Sequence, residues 1–253
     1  MKILAMANQK GGVAKTTTTF AVGAGLAHRG YRVLFVDLDA QGNLSYVLEA
    51  ASVSPNALDV LRGKTTANQA ICHAPGGDVI ASDPALAGID AVLTQVGKEY
   101  RLREALEEVQ GLYDYAIIDT PPALGILTVN ALAACHGCIV PAQADIHSMQ
   151  GIVQLNDTIQ TVKKYCNPYL EVMGIVLTRY NSRTVISRES AELIEQTAAE
   201  MGSRLYATRI RECTALKETH ALRTDIFSYA PNSNAAADYS ALVDEILKKD
   251  VTE

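Results

Sequence analysis

What most constrains the fold of this chain is a recurring pattern of short, almost wholly apolar runs separated by helical stretches. The runs are Ile3-Leu4-Ala5-Met6-Ala7, Val33-Leu34-Phe35-Val36, Tyr115-Ala116-Ile117-Ile118, Cys138-Ile139-Val140 and Val172-Met173-Gly174-Ile175-Val176-Leu177. Each is too short for a helix and lacks alternation, which is the pattern of a strand covered on both faces. Helices are expected between and after them, over 16–28, 84–96, 98–109, 147–165, 188–201 and 236–249. Buried strands alternating with helices specify an α/β domain, doubly wound, with a mostly parallel sheet flanked by helices. No fixed-period repeat and no low-complexity linker interrupts the pattern, so 1–253 is expected to be a single domain. A chain of 253 residues with 48% hydrophobic and 20% charged side chains can bury a large core. That excludes a disordered chain and a small scaffold held by disulfides. No apolar run approaches the roughly 20 residues of a membrane span. The opening Met1-Lys2-Ile3-Leu4 has no signal-peptide layout, and the odd count of 5 scattered cysteines fits reduced thiols. A cytoplasmic protein is expected.

The stretch between the first strand and the first helix carries the chemistry. It reads Asn8-Gln9-Lys10-Gly11-Gly12-Val13-Ala14-Lys15-Thr16-Thr17. Glycines let a backbone curl so that several N–H groups point at phosphate oxygens, and the following helix adds its positive end. Lys15 is placed to reach β- and γ-phosphates, and the Thr16 hydroxyl to sit on Mg²⁺. The common G-x-x-x-x-G-K-[ST] pattern fails here, because Gln9 and Ala14 hold the glycine positions. The string instead fits the deviant form K-G-G-x-x-K-[ST], with Lys10 five residues before Lys15. The plain alternative is a glycine-rich turn with two incidental lysines.

Two further strands end in carboxylates. Val33 to Val36 runs into Asp37-Leu38-Asp39, and Ile117-Ile118 into Asp119-Thr120-Pro121-Pro122. Ligands in doubly wound folds gather at the carboxyl ends of strands. At the first strand end, one carboxylate can orient an attacking water while the other supports a Mg²⁺ shell. Asp119 has the place of a Walker B carboxylate that holds Mg²⁺ through water. Read singly, each is also a solvated strand end or a cap before a stiff proline turn.

Together these segments resemble the ParA/Soj family of partition ATPases, relatives of the MinD ATPases. The resemblance runs nearly end to end. Asn8 to Thr17 is similar to the family's deviant Walker A. Val36-Asp37-Leu38-Asp39-Ala40-Gln41-Gly42-Asn43 and Ile118-Asp119-Thr120-Pro121-Pro122-Ala123-Leu124-Gly125 resemble its next two motifs. Ile210-Arg211-Glu212 through Leu216-Lys217-Glu218 resembles the late loop that closes over the nucleotide, and Tyr229-Ala230-Pro231-Asn232-Ser233 the family's ending. The resemblance implies a P-loop NTPase of the deviant Walker A type, with ATP and Mg²⁺ as cofactors. It implies slow, partner-stimulated hydrolysis coupled to an ATP-bound sandwich homodimer. Lys10 would be the signature lysine reaching the phosphates of the other protomer, a cation supplied in trans. Lys15 and Asp39 would complete the catalytic set. Gly11, Gly12, Val13, Ala14, Thr16 and Thr17 would join the two lysines around the nucleotide, and Thr16, Asp39 and Asp119 would serve the metal. Arg211 and Cys213 stand where the family flanks adenine with Pro and Asn. Ala14 replaces a glycine, tolerable with a negative φ, and Ala40 replaces a proline that would stiffen the loop after Asp39. Asp145-Ile146-His147-Ser148-Met149-Gln150-Gly151 matches its family counterpart only in part.

The family's ATP-bound dimer binds double-stranded DNA without sequence preference and works with a ParB-like centromere-binding or adaptor protein. The resemblance therefore implies a nucleoid-associated protein. Nonspecific DNA affinity needs basic side chains. The stretch 179–223 holds eight of them against six acidic ones, in a chain of formal charge -6. Arg183, Arg188, Arg209, Lys217 and Arg223 are the candidate DNA contacts, and an ordinary solvated surface is the alternative. The chain starts on its first strand, so no helix-turn-helix domain for operator binding is expected. A MinD-like membrane-associated ATPase is the competing reading, but Leu247-Lys248-Lys249-Asp250-Val251-Thr252-Glu253 lacks an apolar face long enough to insert. Cys135-His136-Gly137-Cys138 supplies half a metal site at most and reads as structural. His28, His73, His136, His147 and His220 show no ligand spacing and read as surface or core fillers.

Overall fold

The computed structural model describes residues 1–250, with side chains through Lys248. Val251 to Glu253, part of the tail that bears on membrane insertion, lie outside the described residues. No described helix is long and apolar enough to cross a membrane.

The chain opens with β1 (Lys2–Met6), the glycine-rich loop and α1 (Lys15–Ala27), followed by β2 (Val33–Asp37). Three short helices come next, α2 (Asn43–Val47), α3 (Ala57–Leu61) and α4 (Ala67–Ala70), then β3 (Ile71–Ala74) and β4 (Gly77–Ile80). After α5 (Arg101–Glu107), β5 (Tyr115–Asp119), α6 (Ile126–Ala134), β6 (Gly137–Ala142) and α7 (Ile146–Tyr165) follow. The last third is β7 (Glu171–Tyr180), α8 (Val185–Glu200), β8 (Leu205–Arg211), α9 (Ala215–Leu222), α10 (Ile226–Tyr229) and α11 (Asn234–Asp250). One 8-stranded sheet results, in the order β3-β4-β2-β5-β1-β6-β7-β8. All neighbours run parallel except β3 and β4.

Alternate residues of β1 feed the two halves of the core. Ile3 and Ala5 face the layer that holds α3, α5, α6, α7 and α8, while Leu4 and Met6 face the layer of α1, α2 and α11. This is why the central strands carry no polar alternation. Helix α1 has ten of its 13 residues buried, between the sheet and α11. Its small residues make room: a Cβ on Gly23 would lie 2.1 Å from the Phe35 ring, and one on Gly25 2.9 Å from Val243. The chain passes leftward from β1 to β2 and later rightward to β6, so the sheet's switch point lies at β1. There the carboxyl ends of β1, β2 and β5 are level, Asp119 in register with both Met6 and Asp37.

The expected strands and the helices over 16–28, 147–165, 188–201 and 236–249 are present, with ends shifted by at most three residues. Residues 84–96 do not form the expected α-helix. Pro84–Ala91 is a 3-10 helix started by Asp83, whose side chain accepts from the Ala85 N–H, and only Arg101–Glu107 within 98–109 is α-helical. Gly88 and Gly97 interrupt this region, and Gly97 is left-handed with φ 82°.

Candidate active site

The glycine-rich loop is held from several sides. The Asn8 amide donates to the Pro141 carbonyl at 2.7 Å and its oxygen accepts from the Lys10 N–H at 2.9 Å. The Thr178 hydroxyl, near the end of β7, lies 3.1 Å from the Val13 carbonyl, and Gln143 donates to the Gly12 carbonyl at 3.1 Å. The Val13 side chain is fully buried beneath the loop and does not line the cleft, so only its backbone can meet a ligand. Gly12 has φ 75° and Ala14 φ 62°. The expectation of a negative φ at Ala14 is therefore corrected. The residue is left-handed and starts α1 with no side-chain cap, leaving the first N–H groups of the helix for a ligand.

Lys15 is buried, and its ammonium spans the loop to the Lys10 carbonyl at 3.3 Å. Burial pulls its pKa below the usual lysine value, and the charges of Asp119 and Asp39 push it back up. Asp119 is fully buried under the loop, where its carboxylate accepts from Thr16 at 2.6 Å and from Thr19 at 3.1 Å. Burial, and then the nearby Asp37, hold its carboxyl well above the usual range. A buried carboxylate bonded to a P-loop threonine is a hard oxygen donor set that suits Mg²⁺. Asp39 lies at the cleft wall, its carboxylate accepting from the Gln41 N–H at 3.1 Å. The two strand-end carboxylates thus part company. Asp37 is fully buried and accepts from the Ser45 N–H at 2.8 Å and hydroxyl at 2.7 Å. It anchors the start of α2.

Lys10 does not line the cleft of its own chain. Its ammonium pairs with Asp145 at 2.6 Å and lies 3.3 Å from the Ser148 hydroxyl, at the start of α7. Burial raises the Asp145 pKa, but the Lys10 ammonium and the Ser148 N–H outweigh it and hold that carboxyl below its usual value.

The cleft has two lobes. The larger, about 270 Å³, is lined by Gly11, Gly12, Lys15, Thr16, Asp39, Asn43, Pro122 and His220. The smaller, about 50 Å³, is lined by Thr178, Arg211, Cys213, Lys217 and Tyr239. Ala14, Thr17 and Arg179 belong to both. Arg211 and Cys213 therefore stand beside the loop, as expected, but the Arg211 guanidinium is already held by Asp238 at 2.6 Å. Two residues were misread from the sequence. His220 is no filler: its Nε2 lies 3.1 Å from the Thr17 hydroxyl. Arg179, counted with the basic stretch, faces the cleft. Its position near the carboxyl end of β7 was the signal that could have found it.

The candidate DNA contacts sit on three elements. Arg183 and Arg188 lie at the start of α8, Arg188 donating to the Ser182 carbonyl at 2.9 Å. Arg209 folds back onto the carbonyls of Tyr206 and Ala207. Lys217 is 3.7 Å from Glu212, and Arg223 is 3.9 Å from Glu49 with its guanidinium over the Tyr46 ring. Cys135 and Cys138 are buried in the core, and burial pushes both thiols up.

A family model described as an AAA domain matches residues 1–172. The chromosome partitioning protein ParA of Caulobacter vibrioides is 36% identical over 257 residues, covering 99% of this chain and 95% of its own. The sporulation initiation inhibitor protein Soj of Bacillus subtilis is 36% identical over 258 residues, covering 97% of this chain and 98% of its own. Among solved structures, cobyrinic acid a,c-diamide synthase from Mycobacterium smegmatis with bound ADP and magnesium has a TM-score of 0.85 at 35% identity, over 98% of this chain and 94% of that one. That name denotes a different reaction on the same fold, and a shared fold does not by itself fix the reaction. The two partition relatives are matched along almost their whole length at 36% identity: the chain belongs to the ParA/Soj family of partition ATPases.

Proposed function

We propose that this chain hydrolyses ATP to ADP and phosphate with Mg²⁺, and that ATP closes two copies into a dimer that binds double-stranded DNA without sequence preference. The observation that carries this reading is the convergence of Lys15, Thr16 and Asp39 on one cleft, with the buried Asp119 bonded to Thr16 beneath it. Backbone N–H groups of Gly11 to Thr17 and the start of α1 bind the phosphates. Lys15 moves from the Lys10 carbonyl to a phosphate oxygen. Thr16, bonded to Asp119, would hold Mg²⁺, and the metal would supply charge to offset that of the phosphates. Asp39 has a carboxylate oxygen free to orient the attacking water. Lys10, outside its own cleft, is available to the other protomer once it leaves Asp145. A ParB-like partner that speeds hydrolysis fits the family, as does a place on the nucleoid.

The test is phosphate release together with DNA binding in ATP and in ADP across a salt series. Hydrolysis lost in Asp39→Ala with nucleotide binding retained, and salt-sensitive DNA binding in ATP alone, are expected. Absence of DNA binding in both states with hydrolysis intact would overturn the DNA part, and liposome pelleting would then test a membrane surface.

A further inference from the structure

The cleft carries two side chains that the phosphate loop does not account for. One is Arg179. It takes φ 50°, in the left-handed region that costs a residue with a Cβ about 1–2 kcal/mol. Among the described residues its guanidinium has no hydrogen bond or ion pair, although it lines both lobes. Such an outlier beside a ligand cleft points to a functional constraint. The other is His220, which lines the larger lobe. Its Nε2 lies 3.1 Å from the Thr17 hydroxyl, and burial favours the neutral ring. When Nε2 carries the hydrogen and donates to Thr17, the Thr17 hydroxyl keeps its own proton for a ligand oxygen.

The loop lobe holds Lys15 and Thr16, the residues for terminal phosphates, and the smaller lobe holds Cys213 and Tyr239. A nucleotide laid between them brings its α-phosphate to the residues common to both lobes, Ala14, Thr17 and Arg179. We propose that Arg179 and His220 form an α-phosphate clamp for nucleoside di- and triphosphates, Arg179 by direct contact and His220 as a positioning residue acting through the Thr17 hydroxyl. The clamp rests on the nucleotide reading of the cleft and goes beyond it by naming the subsite. It sits at the phosphate common to ADP and ATP. It therefore raises affinity for both alike, and it slows the departure of product as much as that of substrate.

The experiment is a titration of the full chain with Mg-ADP and with a non-hydrolysable Mg-ATP analogue, by calorimetry, with melting curves to show that each variant is folded. Arg179→Met should lose about tenfold in affinity for both ligands, the size of one charge-assisted hydrogen bond. His220→Ala should lose about threefold for both, and His220→Gln, whose amide can donate to Thr17, should recover it. His220→Ala should add no further loss to Thr17→Val, because a residue that acts only through the Thr17 hydroxyl has nothing left to act on once it is gone. Arg62→Met, exposed and away from the cleft, is the control. Affinities of Arg179→Met within twofold of the unaltered chain for both ligands would overturn the clamp. A loss confined to the ATP analogue would also overturn it, by placing the guanidinium on the terminal phosphate. Failure of His220→Gln to recover His220→Ala would remove the positioning role. An unaltered chain that binds neither ligand would sink the nucleotide reading itself.

Discussion

At Ala14 a methyl group stands on left-handed backbone, φ 62° and ψ 34°, directly before the lysine that spans the loop. The cost of that conformation for a residue with a Cβ is about 1–2 kcal/mol, part of which glycine returns through its greater freedom when unfolded. Ala14→Gly should therefore stabilise the nucleotide-free chain by up to about 1 kcal/mol, raising the midpoint of thermal unfolding by roughly 2–4 °C in a domain of this size. A lower midpoint would mean that the methyl group makes contacts worth more than its strain. The same scale explains the division of labour between Asp37 and Asp39. Two residues apart on a strand end, their side chains fall into different surroundings: Asp37 is drawn under α2 by two bonds from Ser45, and Asp39 is left at the cleft wall. Sequence spacing places both at the ligand end of the strand. Only the packing of α2 decides which one is available to water.

Helix α7 begins with Asp145 capping the Ser148 N–H at 2.9 Å while the same carboxylate grips Lys10. Asp145→Asn keeps a capping oxygen and removes the charge. A half-exposed pair of this kind contributes about 0.5–1 kcal/mol. Freeing Lys10 should then raise the dimer constant in ATP about two- to fivefold, read by sedimentation at subsaturating nucleotide. No rise would mean that leaving Asp145 is not part of dimer closure. Helix α1 makes a second prediction. Helix propensity favours alanine over glycine by about 1 kcal/mol, yet a Cβ at Gly23 would overlap the Phe35 ring at 2.1 Å. Gly23→Ala should thus destabilise the chain by a net 1–3 kcal/mol in denaturant unfolding, and Gly23→Ala with Phe35→Leu should recover most of it. The elements legible in the sequence were those with a strong period or an unbroken apolar run: β1, β2, β5, β6, β7 and the long helices. Strand β8 was not, because its two faces differ. Tyr206 and Ile210 are buried while Ala207 and Arg211 are exposed, so it reads as a loop with scattered arginines. Strands β3 and β4 are four residues each and pair locally across Pro75 and Gly76. The phosphate loop was legible because backbone geometry demands its glycines and lysines in order. His220 and Arg179 were not, since they reach the cleft from α9 and β7 by tertiary packing alone, at distances in sequence no local pattern spans.

For the molecule as a whole, the proposed DNA binding sets the question of how a chain of formal charge -6 could hold on to a polyanion. Long-range repulsion is screened beyond a Debye length of about 8 Å at physiological salt, so a few basic side chains held against the phosphates outweigh the net charge. The structure ranks those side chains. Arg183, just before α8, and Arg188, in its first turn, are exposed and form no ion pair among the described residues, whereas Lys217 shares Glu212 and Arg223 shares Glu49 and the Tyr46 ring. Arg209 is folded onto its own strand. A cation already paired releases less of the counterion atmosphere when it meets a phosphate, so the first two should carry more of the salt dependence. In the proposed dimer the number of contacts in one binding event doubles, so dimerisation in ATP would act as a switch for DNA affinity without any change in the basic surface. Each phosphate contact contributes about 0.9 to the slope of log affinity against log salt. Arg183→Glu, present twice in the dimer, should therefore lower the slope by about two, and Arg223→Glu by less than one. The measurement is fluorescence anisotropy of a duplex of mixed sequence with ATP across a salt series. A slope untouched by Arg183→Glu and Arg188→Glu, with dimerisation intact, would place the DNA surface on another face of the molecule.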